Sequence, residues 1–315
     1  MAKTSIEWTD TVWNPVTGCT KVSEGCRNCY AERMSKRLAG RCGYPADNPF
    51  RVVLHPEKLD EPSKWKKPRR IFVNSMSDLF HEDVPFEFIR AVWARMVTLP
   101  QHTFMILTKR PERMLEFFIW MDSQEFRVET FRSNVWLGVS AENQGAANKR
   151  IPLLLRAPVL VRFVSCEPLL GPINLERIEP MGVDAFIHSL SGTVSVPFTI
   201  LDNRPKLDWV IAGGESGPGA RPMHPDWASG LRDQCQAAGI PYFFKQWGEW
   251  KTFYDRDQDD PDWQNIPEEK PNIRRLNFAG GHGFHGDRVV YLKKVGKKKA
   301  GRELDGRTWN EIPKL

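Results

Sequence analysis

No apolar run in the sequence approaches the roughly 20 residues that a membrane-spanning helix needs. The first residues, Met1-Ala-Lys-Thr-Ser-Ile-Glu-Trp8, hold neither a hydrophobic region nor a cleavage site. The protein therefore reads as cytoplasmic, with no membrane partner. A phosphate-binding loop and a dinucleotide fingerprint are also missing. Gly213-Gly-Glu-Ser-Gly-Pro-Gly219 supplies glycines, but no helix-opening residues follow at the required spacing. There is no internal repeat beyond a strand–helix rhythm. Cysteine is scarce, with six in 315 residues.

Half of those cysteines fall in one stretch, Cys19-Thr-Lys-Val-Ser-Glu-Gly-Cys26-Arg-Asn-Cys29-Tyr30, as C-x6-C-x2-C. In a reducing compartment such a cluster points to a metal rather than to disulfides. Three soft thiolates suit zinc or an iron–sulfur cluster. A cubane held by three cysteines leaves one iron open to a small molecule, whereas structural zinc wants a fourth ligand. Cys42 and His55 are the candidates for that fourth ligand. Cys166 and Cys235 sit among apolar residues and read as buried small hydrophobes.

The bulk composition is that of a soluble globular chain, 41% hydrophobic and 27% charged. A formal charge of +6 permits a nucleic-acid partner without requiring one. Twelve tryptophans are many. Trp8, Trp13, Trp247 and Trp250 lie in short polar contexts, where a ring can wall a pocket, stack on a base, or simply fill the core.

Residues 1–18 read as an extended lead-in to the cysteine loop, and Tyr30 opens a helix ending near Gly40. Six like units follow. Apolar strands begin near Arg70, His102, Asn134, Val159, Asp208 and Pro241, and each ends in polar residues. Helical patterns separate them, the one after the third strand spanning about Asn148 to Leu155. Short apolar strands alternating with helices are the signature of parallel βα units. The expected fold is α/β, a partial parallel barrel of about six strands over residues 1–250. In a parallel barrel the strand ends converge on one mouth, where active sites lie. Residues 171–206 break the rhythm and read as an insertion or lid. Residues 251–315 read as a C-terminal extension, with a loop over 251–288 that carries the acidic run Asp255–Asp262 and the residues His282 and His285. It ends in a basic tail, Lys293-Lys-Val-Gly-Lys-Lys-Lys-Ala-Gly-Arg302.

Several stretches together carry a resemblance: Trp13-Asn-Pro-Val-Thr-Gly-Cys through Cys29-Tyr-Ala, Leu107-Thr-Lys-Arg-Pro, Gly138-Val-Ser-Ala-Glu-Asn, Ser165-Cys-Glu-Pro-Leu, Ala212-Gly-Gly-Glu-Ser-Gly and Phe244-Lys-Gln-Trp-Gly. They resemble the phage-associated three-cysteine-motif family, which is largely uncharacterised. That family in turn resembles radical S-adenosylmethionine (SAM) enzymes, distantly the spore photoproduct lyase type. The resemblance implies a partial barrel of about six strands with a [4Fe–4S] cluster on Cys19, Cys26 and Cys29, and SAM on the open iron. Reduction by an external electron donor would cleave the sulfonium and give a 5′-deoxyadenosyl radical. The sequence departs from the usual C-x3-C-x2-C by a longer first gap, and Asn28 stands where an aromatic or apolar residue is usual. Closing three more residues of loop costs little.

With the strand order, the resemblance assigns Ser75, Ser77 and Asp78 to the SAM amino group. It assigns Ser140, Glu142 and Asn143 to the ribose. Glu167, Gly213 and Gly214 fall near the adenosyl end or the substrate. Lys109 and Arg110 are candidates to neutralise a carboxylate or a phosphate. The expected function is a radical SAM-like enzyme acting on a nucleic acid or nucleotide. The alternatives are a zinc-holding nucleic-acid-binding module and an iron–sulfur electron-transfer protein.

Overall fold

The computed structural model describes residues 4, 6–124, 134–260, 262, 264–283 and 288–314. Its centre is one parallel sheet of seven strands: β1 (Thr11–Trp13), β2 (Arg70–Val73), β3 (Thr103–Thr108), β4 (Val135–Ser140), β5 (Val161–Cys166), β6 (Trp209–Gly213) and β7 (Tyr242–Gln246). Spatial order equals chain order, and every pairing is parallel. The sheet is curled into a half-barrel whose edge strands, β1 and β7, do not pair with each other.

The expected count of about six strands becomes seven, because Thr11-Val-Trp13 is a strand and not a lead-in. It pairs with Ile71–Val73, and the Trp13 indole donates to the Lys58 carbonyl at 2.8 Å. Three residues are too few to show a period in sequence.

Alternation along the strands divides the side chains between two faces. Val73, Ile106, Leu137, Val164 and Val210 share the main core with the helices α2 (Phe86–Val97), α3 (Pro111–Ser123), α4 (Gln144–Leu154) and α5 (Pro225–Ala238). Their neighbours Met105, Trp136, Phe163, Trp209, Ile211 and Phe243 form a second cluster on the opposite face. Trp8 plugs it, with its ring 4.8 Å from Phe72 and 6.1 Å from Trp209. Trp8 and Trp13 are thus core residues. Gly138 lies under this cluster, where a Cβ would meet the Phe163 ring at 2.5 Å. The aromatic filling occupies the inner face, while the polar residues gather at the carboxyl ends of the strands.

The segment 171–206 holds a three-stranded antiparallel sheet, Phe186–His188, Thr193–Val196 and Thr199–Leu201. The expected 251–288 loop is corrected as well. Trp250–Asp255, Ile273–Asn277 and Val289–Lys294 form a second three-stranded antiparallel sheet, with a short helix at Arg256–Asp259. The tail then runs back along β7: the Phe244 amide donates to the Trp309 carbonyl at 3.0 Å, covering an otherwise open sheet edge. Of the two loop histidines, His282 is exposed beside Glu269 at 3.6 Å, and His285 lies outside the described residues. Among the described residues no helix is long and apolar enough to cross a membrane.

Candidate metal centre at the strand ends

After β1 the chain passes through Val16–Thr17, paired antiparallel with Val53–Leu54, to Gly18. Gly18 bridges to Ser77 just past β2. Its φ is +84°, and a Cβ would lie 1.9 Å from the Arg51 carbonyl oxygen, so only glycine fits. Cys19 is thereby laid across the end of β2, with its amide donating to the Phe50 carbonyl at 3.0 Å. Cys26 ends a 3-10 turn, Glu24–Cys26. Cys29 is the N-cap of α1 (Tyr30–Leu38), whose first-turn N–H groups favour an anionic neighbour.

All six cysteines are free. Cys19, Cys26 and Cys29 line one cavity of about 210 Å³ together with the ends of β2, β3 and β4. That volume is below the roughly 300 Å³ of a usual small-molecule pocket. A larger ligand seated there must extend along the strand ends.

Three arginine–carboxylate pairs pin the cysteine loop to the sheet. At its start, Arg110 donates to Cys19 Sγ at 3.4 Å, to the Thr20 hydroxyl at 2.7 Å and to Asp78 at 3.4 Å. In its middle, the Gly25 amide donates to Glu142 at 3.4 Å, and Arg150 holds that carboxylate at 2.7 Å. At its end, Asn28 Nδ2 donates to Glu215 at 2.9 Å. Arg221 bonds Glu215 at 2.7 Å and Glu24 at 3.0 Å. Burial raises the Glu142 carboxyl, but Arg150, Ser23 and Lys109 outweigh it, so it titrates below the ordinary glutamate value. Glu215 is likewise lowered: burial opposes, and Arg221 and Asn28 prevail. Burial, with Asp78 beside it, pushes the Cys19 thiol up to about 11 against the pull of Arg110. A metal bound there would have to displace that proton.

The expected site residues separate into groups. Ser75, Ser77, Asp78 and Ser140 line the cavity with the thiols, as do Lys109 and Arg110. Within it, Asp78 is already an acceptor for Thr108 Oγ1 at 2.7 Å and for the Lys109 amide at 3.0 Å. The Ser75 hydroxyl donates to Asn14 at 3.2 Å and Ser77 to the Val16 carbonyl at 2.9 Å. Lys109 Nζ reaches the Ser140 hydroxyl at 3.1 Å. Glu142 touches the cysteine loop but is held by Arg150, and Asn143 is the N-cap of α4, accepting from the Ala146 amide at 2.9 Å. Asn143 also corrects the start of that helix, which begins at Gln144 rather than near Asn148. Glu167 lies further along the sheet, clamped by Lys245 at 2.8 Å. Gly213 sits beside this pair, and Gly214 packs under the Trp247 carbonyl.

Asn74 escaped the sequence reading. It lines the cavity, adopts φ +60°, and its Oδ1 accepts from the Val16 amide at 3.3 Å. Its Nδ2 is buried and has no hydrogen-bond partner among the described residues. Such an orphaned donor marks a place where an acceptor is expected. In sequence the residue shows only as an Asn directly after an apolar strand, a residue type that tolerates the left-handed region.

The fourth-ligand candidates do not join the site. The two ring nitrogens of His55 are engaged, with Thr17 at 2.8 Å and with Glu57 at 3.1 Å. Cys42 is exposed and does not line the cavity. Cys166 and Cys235 are buried as expected, and burial pushes both thiols far above the ordinary cysteine value. Among the described residues, no three His, Cys, Asp or Glu side chains gather about one point to hold a single metal ion.

A family model described as "Protein of unknown function (DUF5131)" matches residues 3–313. No curated protein and no solved structure matches the chain.

Proposed function

The chain belongs to the DUF5131 family of unknown function, and from its own residues we propose that it is a radical SAM-like iron–sulfur enzyme whose substrate is a nucleic acid or nucleotide. The observation that carries the reading is the shared cavity: three free thiols from one loop open onto the polar ends of β2, β3 and β4. In this reading Cys19, Cys26 and Cys29 hold a [4Fe–4S] cluster, and SAM lies along the strand ends. The likeness to phage-associated three-cysteine-motif proteins and to radical SAM enzymes belongs to the same proposal.

Three free thiols of one loop are a soft donor set of the kind that takes an iron–sulfur cluster. When bound, the cluster supplies the electron that cleaves the SAM sulfonium. The chain's own residues do the rest. Asn74 Nδ2 offers a free donor at the cavity wall. Ser140 and Lys109 form a second polar edge there. The aromatic cluster around Trp8 and Trp209 closes the inner face against water.

The nucleic-acid part rests on charge. Lys251 stands directly opposite Lys293 in the C-terminal sheet, an unfavourable like-charge pair. Neither they nor Lys294, Lys298 and Lys299 have an acidic partner within 4.0 Å among the described residues. An anionic backbone would relieve this repulsion. The test is to reconstitute the protein anaerobically with iron and sulfide, add SAM and dithionite, and measure 5′-deoxyadenosine. Formation of 5′-deoxyadenosine supports the reading. A protein with an intact cluster that neither binds nor cleaves SAM would favour an iron–sulfur electron-transfer protein instead.

A further inference from the structure

Arg110 uses its whole guanidinium inside the protein. Nε donates to Glu82 at 3.0 Å, Nη1 to Cys19 Sγ and to Asp78 at 3.4 Å each, and Nη2 to the Thr20 carbonyl at 3.2 Å and hydroxyl at 2.7 Å. A guanidinium has five N–H groups, and each has an acceptor here. The residue is 7% exposed. Its position follows from the chain. β3 ends at Thr108, Pro111 opens α3, and Arg110 is held between them as the N-cap residue.

A plain ion pair would not need this arrangement. Asp78 could hold the charge alone, yet the fork is turned so that one arm meets a sulfur and the other meets the residue after it. At the sulfur the Asp78 carboxylate opposes the charge of Arg110, and what Arg110 adds there is a directed donor. Asp78 also accepts from Thr108 Oγ1, the Lys109 amide and the Phe80 amide, which spreads its charge. The Glu82 side chain is 60% exposed and is screened by water. The N–H···S contact is therefore the directed interaction in a low-dielectric setting.

We propose that Arg110 sets the reduction potential of the group held by Cys19, by donating a charge-assisted hydrogen bond to its sulfur. The inference rests on the cluster proposed above. Adding an electron increases the negative charge on the sulfurs, so a fixed cation and donor favour the reduced form; hydrogen bonds to cluster sulfurs are one of the levers on potential. Arg110 is a positioning residue in this role. It touches a ligand and makes no claim on the substrate.

The test uses the full chain, reconstituted anaerobically, as wild type and as Arg110→Gln, Arg110→Lys and Glu82→Gln. Iron and sulfide are counted first, and the midpoint potential is then titrated by electron paramagnetic resonance. Arg110→Gln is expected to lower the equilibrium constant for one-electron reduction about tenfold, a fall of about 59 mV. Arg110→Lys, which keeps the charge and loses the fork, should recover part of that shift. Glu82→Gln should move the potential slightly upward. A wild-type protein without iron and sulfide overturns the cluster itself, and this inference with it. A wild type that holds its cluster while Arg110→Gln titrates at the same potential overturns the inference alone. Loss of the cluster from both Arg110 variants would make the residue a holder of the loop and would overturn the potential-setting role.

Discussion

Glu142→Gln perturbs the middle brace of the cysteine loop. The wild-type side chain is 2% exposed and bonds Arg150, itself 6% exposed, at 2.7 Å. Removing one partner of a buried pair costs about 3–5 kcal/mol, because the other charge is left uncompensated. Glutamine keeps the shape and can still accept from Arg150 and from the Gly25 amide, so the lower end applies, about 3 kcal/mol. With a urea slope of about 3 kcal/mol per molar, the midpoint should fall by about 1 M at pH 7. The control is Glu167→Gln, whose 20% exposed carboxylate pairs with a 16% exposed Lys245; there, with the groups less buried, the loss should be smaller, about 1.5 kcal/mol. The pH dependence has a definite sign. The folded-state value of Glu142 is depressed, so its contribution is present above the ordinary glutamate value, about 4.3, and is lost as pH falls through the folded-state value. The gap between wild type and Glu142→Gln should therefore be full at pH 7 and close in acid. Equilibrium urea unfolding across pH is the assay. A midpoint within about 0.2 M of wild type at pH 7, or a gap that stays unchanged in acid, would refute the brace.

Gly138→Ala should destabilise by about 1–3 kcal/mol through overpacking, since its Cβ would lie 2.5 Å from the Phe163 ring; thermal unfolding reads this, and no change would mean the ring shifts freely. Cys19→Ala, Cys26→Ala and Cys29→Ala should each lose iron, whereas Cys42→Ala, Cys166→Ala and Cys235→Ala should keep it; an iron assay that singled out Cys42 would break the three-ligand arrangement. Replacing Lys251, Lys293, Lys294, Lys298 and Lys299 with Gln should weaken binding to single-stranded DNA or RNA and flatten its salt dependence, and filter binding at two or more salt concentrations checks this. Equal binding without these lysines would make the tail a solvated end.

The strands from β2 to β7 were legible because each is an apolar run closed by polar residues, as in Thr103-Phe-Met-Ile-Leu-Thr108. β1 was not, because its three residues carry no period. The C-terminal sheet was hidden by its composition: Ile273-Arg-Arg-Leu-Asn277 carries two arginines and lies between an acidic run and a glycine-rich segment, so it reads as loop. The cysteine loop was legible from spacing alone, and the strand ends beside it from the strand order together with the resemblance. What chemistry the strand-end carboxylates perform was not. Glu142 reads as a free acceptor in sequence, and only the structure brings Arg150 onto it, as it brings Arg221 onto Glu215. The orphaned donor of Asn74 depends on a backbone turn and on burial, and neither is written in residue type.

The proposed iron–sulfur cluster on Cys19, Cys26 and Cys29 is open to direct assay. The most direct measurement is iron, acid-labile sulfide and zinc per chain after strictly anaerobic purification and reconstitution. About four irons with matching sulfide are expected, in a brown, oxygen-sensitive protein. One zinc per chain with no labile sulfide would contradict the cluster.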